Sequence, residues 1–169
     1  MRAYAYQKIS EQLAAIQDNG KRVVNHIDLW NEQVQFMSQE KPMRMPAVFM
    51  EFSPLAWRQH GDGVQRGTME VRIHIVVGTL ARSYDSSHNQ DEAIKALAVA
   101  DKIHAAMHML DADFMSRPVR INSITDHNHE QIQHFIEVYQ MNVVDISARP
   151  EYGEAMVNGL VVIPQEEEE

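Results

Sequence analysis

Residues 68–80 read TMEVRIHIVVGTL, and no other stretch limits the fold as much. Met69, Val71, Ile73, Ile75 and Val77 alternate with Glu70, Arg72 and His74. That period of two belongs to a strand with one buried and one wet face. Thirteen extended residues run roughly 40 Å, about twice an ordinary strand. A strand of that length in a small subunit implies an overhang that a partner surface covers.

With 169 residues the chain has the size of one well-buried core and falls short of two ordinary domains. No apolar run reaches the roughly 18 residues of a membrane helix. MRAYAYQKISEQL lacks the apolar stretch of a signal peptide, so cytoplasmic synthesis and no membrane partner are expected. There are no cysteines, which removes disulfides and thiolate metal or redox chemistry. The net charge is −9, with four of the acids in Glu166–Glu169. Affinity for nucleic acid rests on neutralising phosphates, and no Lys/Arg cluster is present, so DNA or RNA binding is not expected.

The chain divides into recognisable segments. Tyr6, Ile9, Leu13 and Ile16 predict a short amphipathic helix closed by Asn19-Gly20. Val23 to Trp30 fits a strand or a helical turn, with strand preferred. The prolines in QEKPMRMP make residues 39–46 a loop. Residues 47–52 (AVFMEF) read as a strand with Val48, Met50 and Phe52 on one face, ended at Ser53-Pro54. Gly61, Gly63 and Gly67 place a loop before the long strand, so the two strands form a hairpin with an extended tip. Residues 89–110 are the clearest helix. Asn89 and Glu92 suggest a capping box, and Ile94, Leu97, Ala100, Ile103, Met107 and Leu110 line one face. Ile73 and Leu97 are expected to meet across the sheet–helix layer. Strands follow at 118–125 and 134–147. Ile136, Val138, Val144 and Ile146 fall on one face of the second, and Phe135, Tyr139, Met141 and Val143 on the other. Apolar groups on both faces mean a central strand or a subunit contact. The expected fold is therefore α+β: a mainly antiparallel sheet of about four to five strands, one long helix packed on it, and a short N-terminal helix. Residues 1–148 form its single domain, and 149–169 form an extension with a disordered acidic end.

Candidate chemistry is sparse. His104 and His108 lie four apart on the helix, a metal-ligand spacing, but HAAMH lacks the glutamate of a zinc-hydrolase helix. Asp126-His127-Asn128-His129-Glu130 holds more ligands, with His127 and His129 in alternate positions. Asp and Asn are also the ordinary residues of a turn, and a solvated turn is the expected state. GDGVQRG at 61–67 has neither the spacing nor the following helix of a phosphate loop. Asp111 and Asp113 stand just past a helix end. Met37, Met43, Met45 and Met50 gather around one loop and strand, where methionine suits adaptable contacts or core filling.

HIDLWNEQ (26–33), PAVFMEF (46–52), GTMEVRIHIVV (67–77), DEAIKALAVADKIHAAMHML (91–110) and HFIEVYQMNVVDI (134–146), in this order of elements, resemble the tail-terminator, or tail-completion, proteins of long-tailed bacteriophages. The resemblance spans residues 1–148. It implies a homo-oligomer, usually a hexameric ring, that caps the tail-tube protein and joins it to the head-connector protein. It implies no enzymatic activity and no cofactor, with assembly in the host cytoplasm and a place in the virion of an active phage or prophage. Phe135, Tyr139 and Met141 are the expected subunit contacts, since aromatic residues and Met favour interface cores. Two other readings stand beside this one: a metal-dependent or small-molecule-binding enzyme using the Asp126–Glu130 turn, with His127 and His129 as ligands, and a prophage accessory protein outside the particle.

Overall fold

The computed structural model describes residues 1–34, 43–78, 83–129 and 132–150, apart from the side chain of Leu55. Met37, loop residues 39–42, the strand end at 79–80, Glu130 and the segment 151–169 lie outside the described residues.

Helix α1 (Arg2–Ala14) opens the chain and buries Ala5, Ile9 and Leu13, one residue per turn. It ends before Asn19-Gly20, which forms the turn between two-residue strands β1 (Gln17–Asp18) and β2 (Lys21–Arg22). Both turn residues have positive φ, as a two-residue hairpin requires. The expected helix closure there is thus a hairpin turn instead. Strand β3 (His26–Leu29) runs parallel to β4 (Ala47–Gly61). Strand β5 (Val64–Gly78) returns antiparallel to β4. After helix α2 (Gln90–His108) come β6 (Val119–Asp126) and β7 (Ile132–Asp145). The sheet order is β3-β4-β5-β7-β6.

The expected sheet of about four to five strands under one long helix needs correction. Strands make up 45% of the described residues. A bridge from Met115 to Val143 adds a sixth hydrogen-bonded segment to the five strands of the main sheet. Both helices, rather than one, pack on the same face: α1 and α2 touch each other, and Gln12 Nε2 donates to the Ala106 carbonyl at 3.1 Å.

Over its described residues, 68–78, the long strand shows no overhang. β5 pairs with β7 from Gln65↔Asp145 to Gly78↔Ile132, and with β4 from Val64 to Val76. Two neighbours of nearly equal length cover it on both edges. β7 is central in turn, between β5 and β6, which explains its two apolar faces.

The main core lies between the sheet and the helices. Ile9 and Leu13, Val48 and Met50, the alternating Met69, Val71, Ile73, Ile75 and Val77, Tyr139, Met141 and Val143, and Ile103 and Met107 meet there. The expected α2 face is buried at Ile103, Met107 and Leu110 but not at the start of α2. Its buried residues are Val99, Ile103 and Met107, while Ile94 and Leu97 are 57% and 53% exposed. The first two turns of α2 bury no residue, so Leu97 never reaches Ile73. Asn89 stands at the N-cap without a side-chain capping bond, and Asp91 and Glu92 supply the negative charge that suits this helix end.

The β4–β5 hairpin turns at Asp62-Gly63. Ser53-Pro54 does not end β4; a register shift between Pro54 and Ala56 absorbs the proline. Gly63 has φ +70, and a Cβ there would overlap the Ala148 carbonyl, so the turn docks against the chain beyond β7. Gly67, expected in the loop, sits inside β5 opposite Trp57, and a Cβ would overlap the Ala56 carbonyl oxygen and the Trp57 ring. Gly67→Val is therefore expected to cost about 1–3 kcal/mol through forced strand separation. A urea midpoint equal to wild type would show that the hairpin yields freely.

The opposite sheet face carries a smaller cluster of Val34, Ala47, Phe49, Val76 and Ile132, with Trp30, Met43 and Met45 packed on it. The described ends of the connection between parallel β3 and β4 bring Trp30 and Val34 on one side, and Met43 and Met45 on the other, onto this face. Among the described residues, no helix is long and apolar enough to cross a membrane.

Candidate functional site

The second face concentrates the polar groups that the core excludes. His74 follows Ile73 in β5 and so points away from the helices. The expected wet face would expose it, yet it is 4% exposed. The Trp30 ring stacks on it at 3.8 Å between centroids and 6° between planes. Beside it His134, at the start of β7, is 2% exposed. The pairings His74↔Ile136 and Val76↔His134 place the two imidazoles diagonally on one face. His74 Nδ1 and His134 Nε2 lie 3.0 Å apart.

Each of these histidines has a carboxylate at its far nitrogen. His74 Nε2 lies 3.6 Å from Glu51 Oε2, since Glu51 shares the face through its pairing with Arg72. His134 Nδ1 lies 3.3 Å from Asp126 Oδ2, since Asp126 ends β6 directly opposite His134. The turn after β6 brings back His129, whose Nε2 is 3.2 Å from the same Asp126 oxygen. The other Asp126 oxygen accepts from the backbone N–H and side-chain amide of Asn128 at 3.0 and 2.7 Å. Asp126 Oδ2, His129 and His134 thus present three ligand atoms within 4.8 Å of one another. They border an open cavity of about 340 Å³ whose other walls are Trp30, Val34 and Asn128.

The electrostatics keep His74 and His134 neutral. Burial draws the His74 pKa down to about 3, helped by the nearby His134 and Arg72 charges. Burial also lowers His134, although the bond to Asp126 opposes it. Asp126 is held below its usual range, first by the Asn128 N–H and further by the His134 hydrogen bond. A neutral imidazole keeps one nitrogen lone pair available, which is the form that accepts a proton, a hydrogen bond or a metal.

Of the expected ligand pair, the structure brings in His129 and leaves out His127, which is exposed beyond the end of β6. The partner of His129 is His134, from the next strand. His104 and His108 do not form a site: their rings are 6.2 Å apart, His108 is exposed, and His104 Nδ1 meets the Tyr139 hydroxyl at 3.2 Å. Asp111 and Asp113 are exposed. Met50 is core, and Met43 and Met45 pack on the second face.

The expected subunit contacts also move. Tyr139 and Met141 are 0% and 2% exposed, buried under the helices within one subunit, and Phe135 is half-buried against the same core. Burial, with the Glu137 charge, pushes the Tyr139 hydroxyl pKa upward, so it acts as a neutral hydrogen-bonding group. Exposed apolar residues lie elsewhere: Val119, Ile121 and Ile124 on β6 at 61%, 50% and 45%, and Ile94 and Leu97 on α2.

No protein-family model matches the chain, and a search of curated proteins finds none similar to it.

Proposed function

We propose that the chain is a structural subunit of a long-tailed phage or prophage, which assembles into a ring that caps the tail tube and joins it to the head connector. The reading rests on the resemblance in residues 26–33, 46–52, 67–77, 91–110 and 134–146. The observation that carries it in the fold is β6. This edge strand has every residue from Val119 to Thr125 exposed, yet three of them are large and apolar. An uncovered apolar edge invites pairing with another chain, and a ring of identical copies uses it up. Ile94 and Leu97 offer a second apolar surface on the outer part of α2.

The contact residues are accordingly Val119, Ile121 and Ile124, in place of the buried Tyr139 and Met141. Ile121→Lys is expected to keep the fold, because Ile121 is the residue skipped between Arg120 and Asn122 in the pairing with β7, and to abolish assembly. In a phage that carries the gene, its deletion is expected to leave tails of uncontrolled length or heads without tails. Joined particles of normal length from the deletion would end this reading. So would unchanged assembly by Ile121→Lys protein, seen by electron microscopy.

A further inference from the structure

We propose that Asp126, His129 and His134 bind one divalent cation of the zinc class, which fastens the β6–β7 turn to the sheet. The site lies within one subunit and does not depend on ring assembly.

The distances fit a tetrahedral ion. Zinc–nitrogen and zinc–oxygen bonds are about 2.0–2.1 Å, so the edge of a tetrahedron of ligand atoms is about 3.3–3.4 Å. The Asp126 Oδ2 to His129 Nε2 distance is 3.2 Å and the Asp126 Oδ2 to His134 Nδ1 distance is 3.3 Å. Two edges of the ligand polyhedron therefore already have the right length. Two nitrogens and one carboxylate oxygen are a donor set that zinc accepts.

The groups behind the ligands are arranged as metal ligands need. A ligating imidazole is oriented by a hydrogen bond at its other nitrogen. His134 has this bond: with Nδ1 turned to the ion, its Nε2–H donates to His74 Nδ1. That leaves the proton of His74 on Nε2, which faces Glu51. His74 thus orients His134 and is itself stacked under the Trp30 ring, while its Nε2, 3.6 Å from Glu51, has no hydrogen-bond partner among the described residues. The carboxylate is oriented in the same way, with Asn128 occupying Oδ1 and leaving Oδ2 for the ion. His129 Nε2 supplies a second, separate indication. Like His74 Nε2, it is shielded from solvent and lacks a hydrogen-bond partner of good geometry, a state that a bound ion or water accounts for. The fourth position opens onto the cavity beside Trp30 and Val34, where water or a partner's side chain fits.

The three ligands come from the end of β6, the following turn and the start of β7. An ion here closes the loop between two strands, and its affinity adds to the stability of that connection.

The test is titration of tag-free, chelator-treated protein with zinc and with cobalt(II). One equivalent per chain is expected to saturate, with a raised melting temperature and, for cobalt, the intense visible bands of a four-coordinate ion. His129→Ala is the diagnostic variant, because His129 is at the turn and its loss leaves the sheet intact; a drop in affinity of about 100-fold or more is expected. Asp126→Asn should show a similar drop. His127→Ala should bind as wild type does, because its ring is outside the cluster. No saturable binding at one equivalent, a weak six-coordinate cobalt spectrum, or equal losses in His127→Ala and His129→Ala would each overturn the proposal.

Discussion

Ile103→Ala is expected to lower the unfolding free energy by about 3–4 kcal/mol, whereas Leu97→Ala lowers it by less than about 1 kcal/mol. Ile103 is fully buried between α1, α2 and the sheet, so truncation removes apolar burial and leaves a cavity that the sheet cannot close. Leu97 lies two turns earlier on the same helix and is about half exposed. Urea melts of both variants, with wild-type slopes, are the measurement. Similar losses at the two sites would mean that the helix packs in the register its sequence alone suggests, with Leu97 inward.

Trp30→Ala should be nearly as costly, at about 2–4 kcal/mol. Trp30 is not a core residue in the ordinary sense. It stacks on His74, lies 5.5 Å from His134, and meets Phe49 edge to face at 6.1 Å. Its removal admits water to two buried imidazoles and strips the cover from the second-face cluster. Trp30→Phe should recover part of the loss by keeping a ring on His74. Equal stability of Trp30→Ala and wild type would mean that the crossing segment contributes little to the sheet. Fluorescence separates the two tryptophans here, because Trp57 is in the exposed half of the hairpin.

Particular residues show what could be read in advance. The alternation from Met69 to Val77 locates β5, and Phe135, Tyr139, Met141 and Val143 do share one face of β7, although that face turns to the subunit's own core rather than to a neighbour. Both follow from a period that one strand carries by itself. What failed was whatever depends on a second element. Leu97 belongs to the apolar stripe of α2, but the stripe cannot say where the sheet stops. β5 looked too long because the lengths of β4 and β7 were not evident: Ser53-Pro54 hid the continuation of β4. Tyr139 and Met141 looked like contact residues because a chain's own helices and a neighbour's surface use the same side chains.

The site was legible only in part. His127 and His129 drew attention by their spacing, and Asp126 by its turn. The arrangement that matters instead depends on strand register, Val76 against His134 and Asp126 against His134. His74 sat among Glu70 and Arg72 on an apparently wet face. Only the crossover after β3, which carries Trp30 over that face, makes it dry. The signal in hindsight is a histidine within an apolar strand run (IHIVV) and another closing HNHEQIQH, but nothing in either string pairs them.

The pairing of β3 with β4 stops at Met50, so the outer edge of β4 from Glu51 to Gly61 has no strand neighbour among the described residues. Among the described residues the sheet therefore has two open edges of different kind: polar, distal β4 with Arg58, Gln59 and His60, and apolar β6. Contact between unlike edges is heterologous. Each copy offers one edge and receives the other, so no two-membered complex satisfies both. Repetition then has two outcomes. The rotation from copy to copy brings the last edge back to the first, or it misses and the chain of subunits runs on as a filament. Sheet twist, about 20–25° per strand in ordinary sheets, contributes to that rotation, and a symmetric tube end would select the closing value. A stable dimer as the limiting species at high concentration would instead mean that β6 pairs with its own copy about a two-fold axis, leaving distal β4 unused.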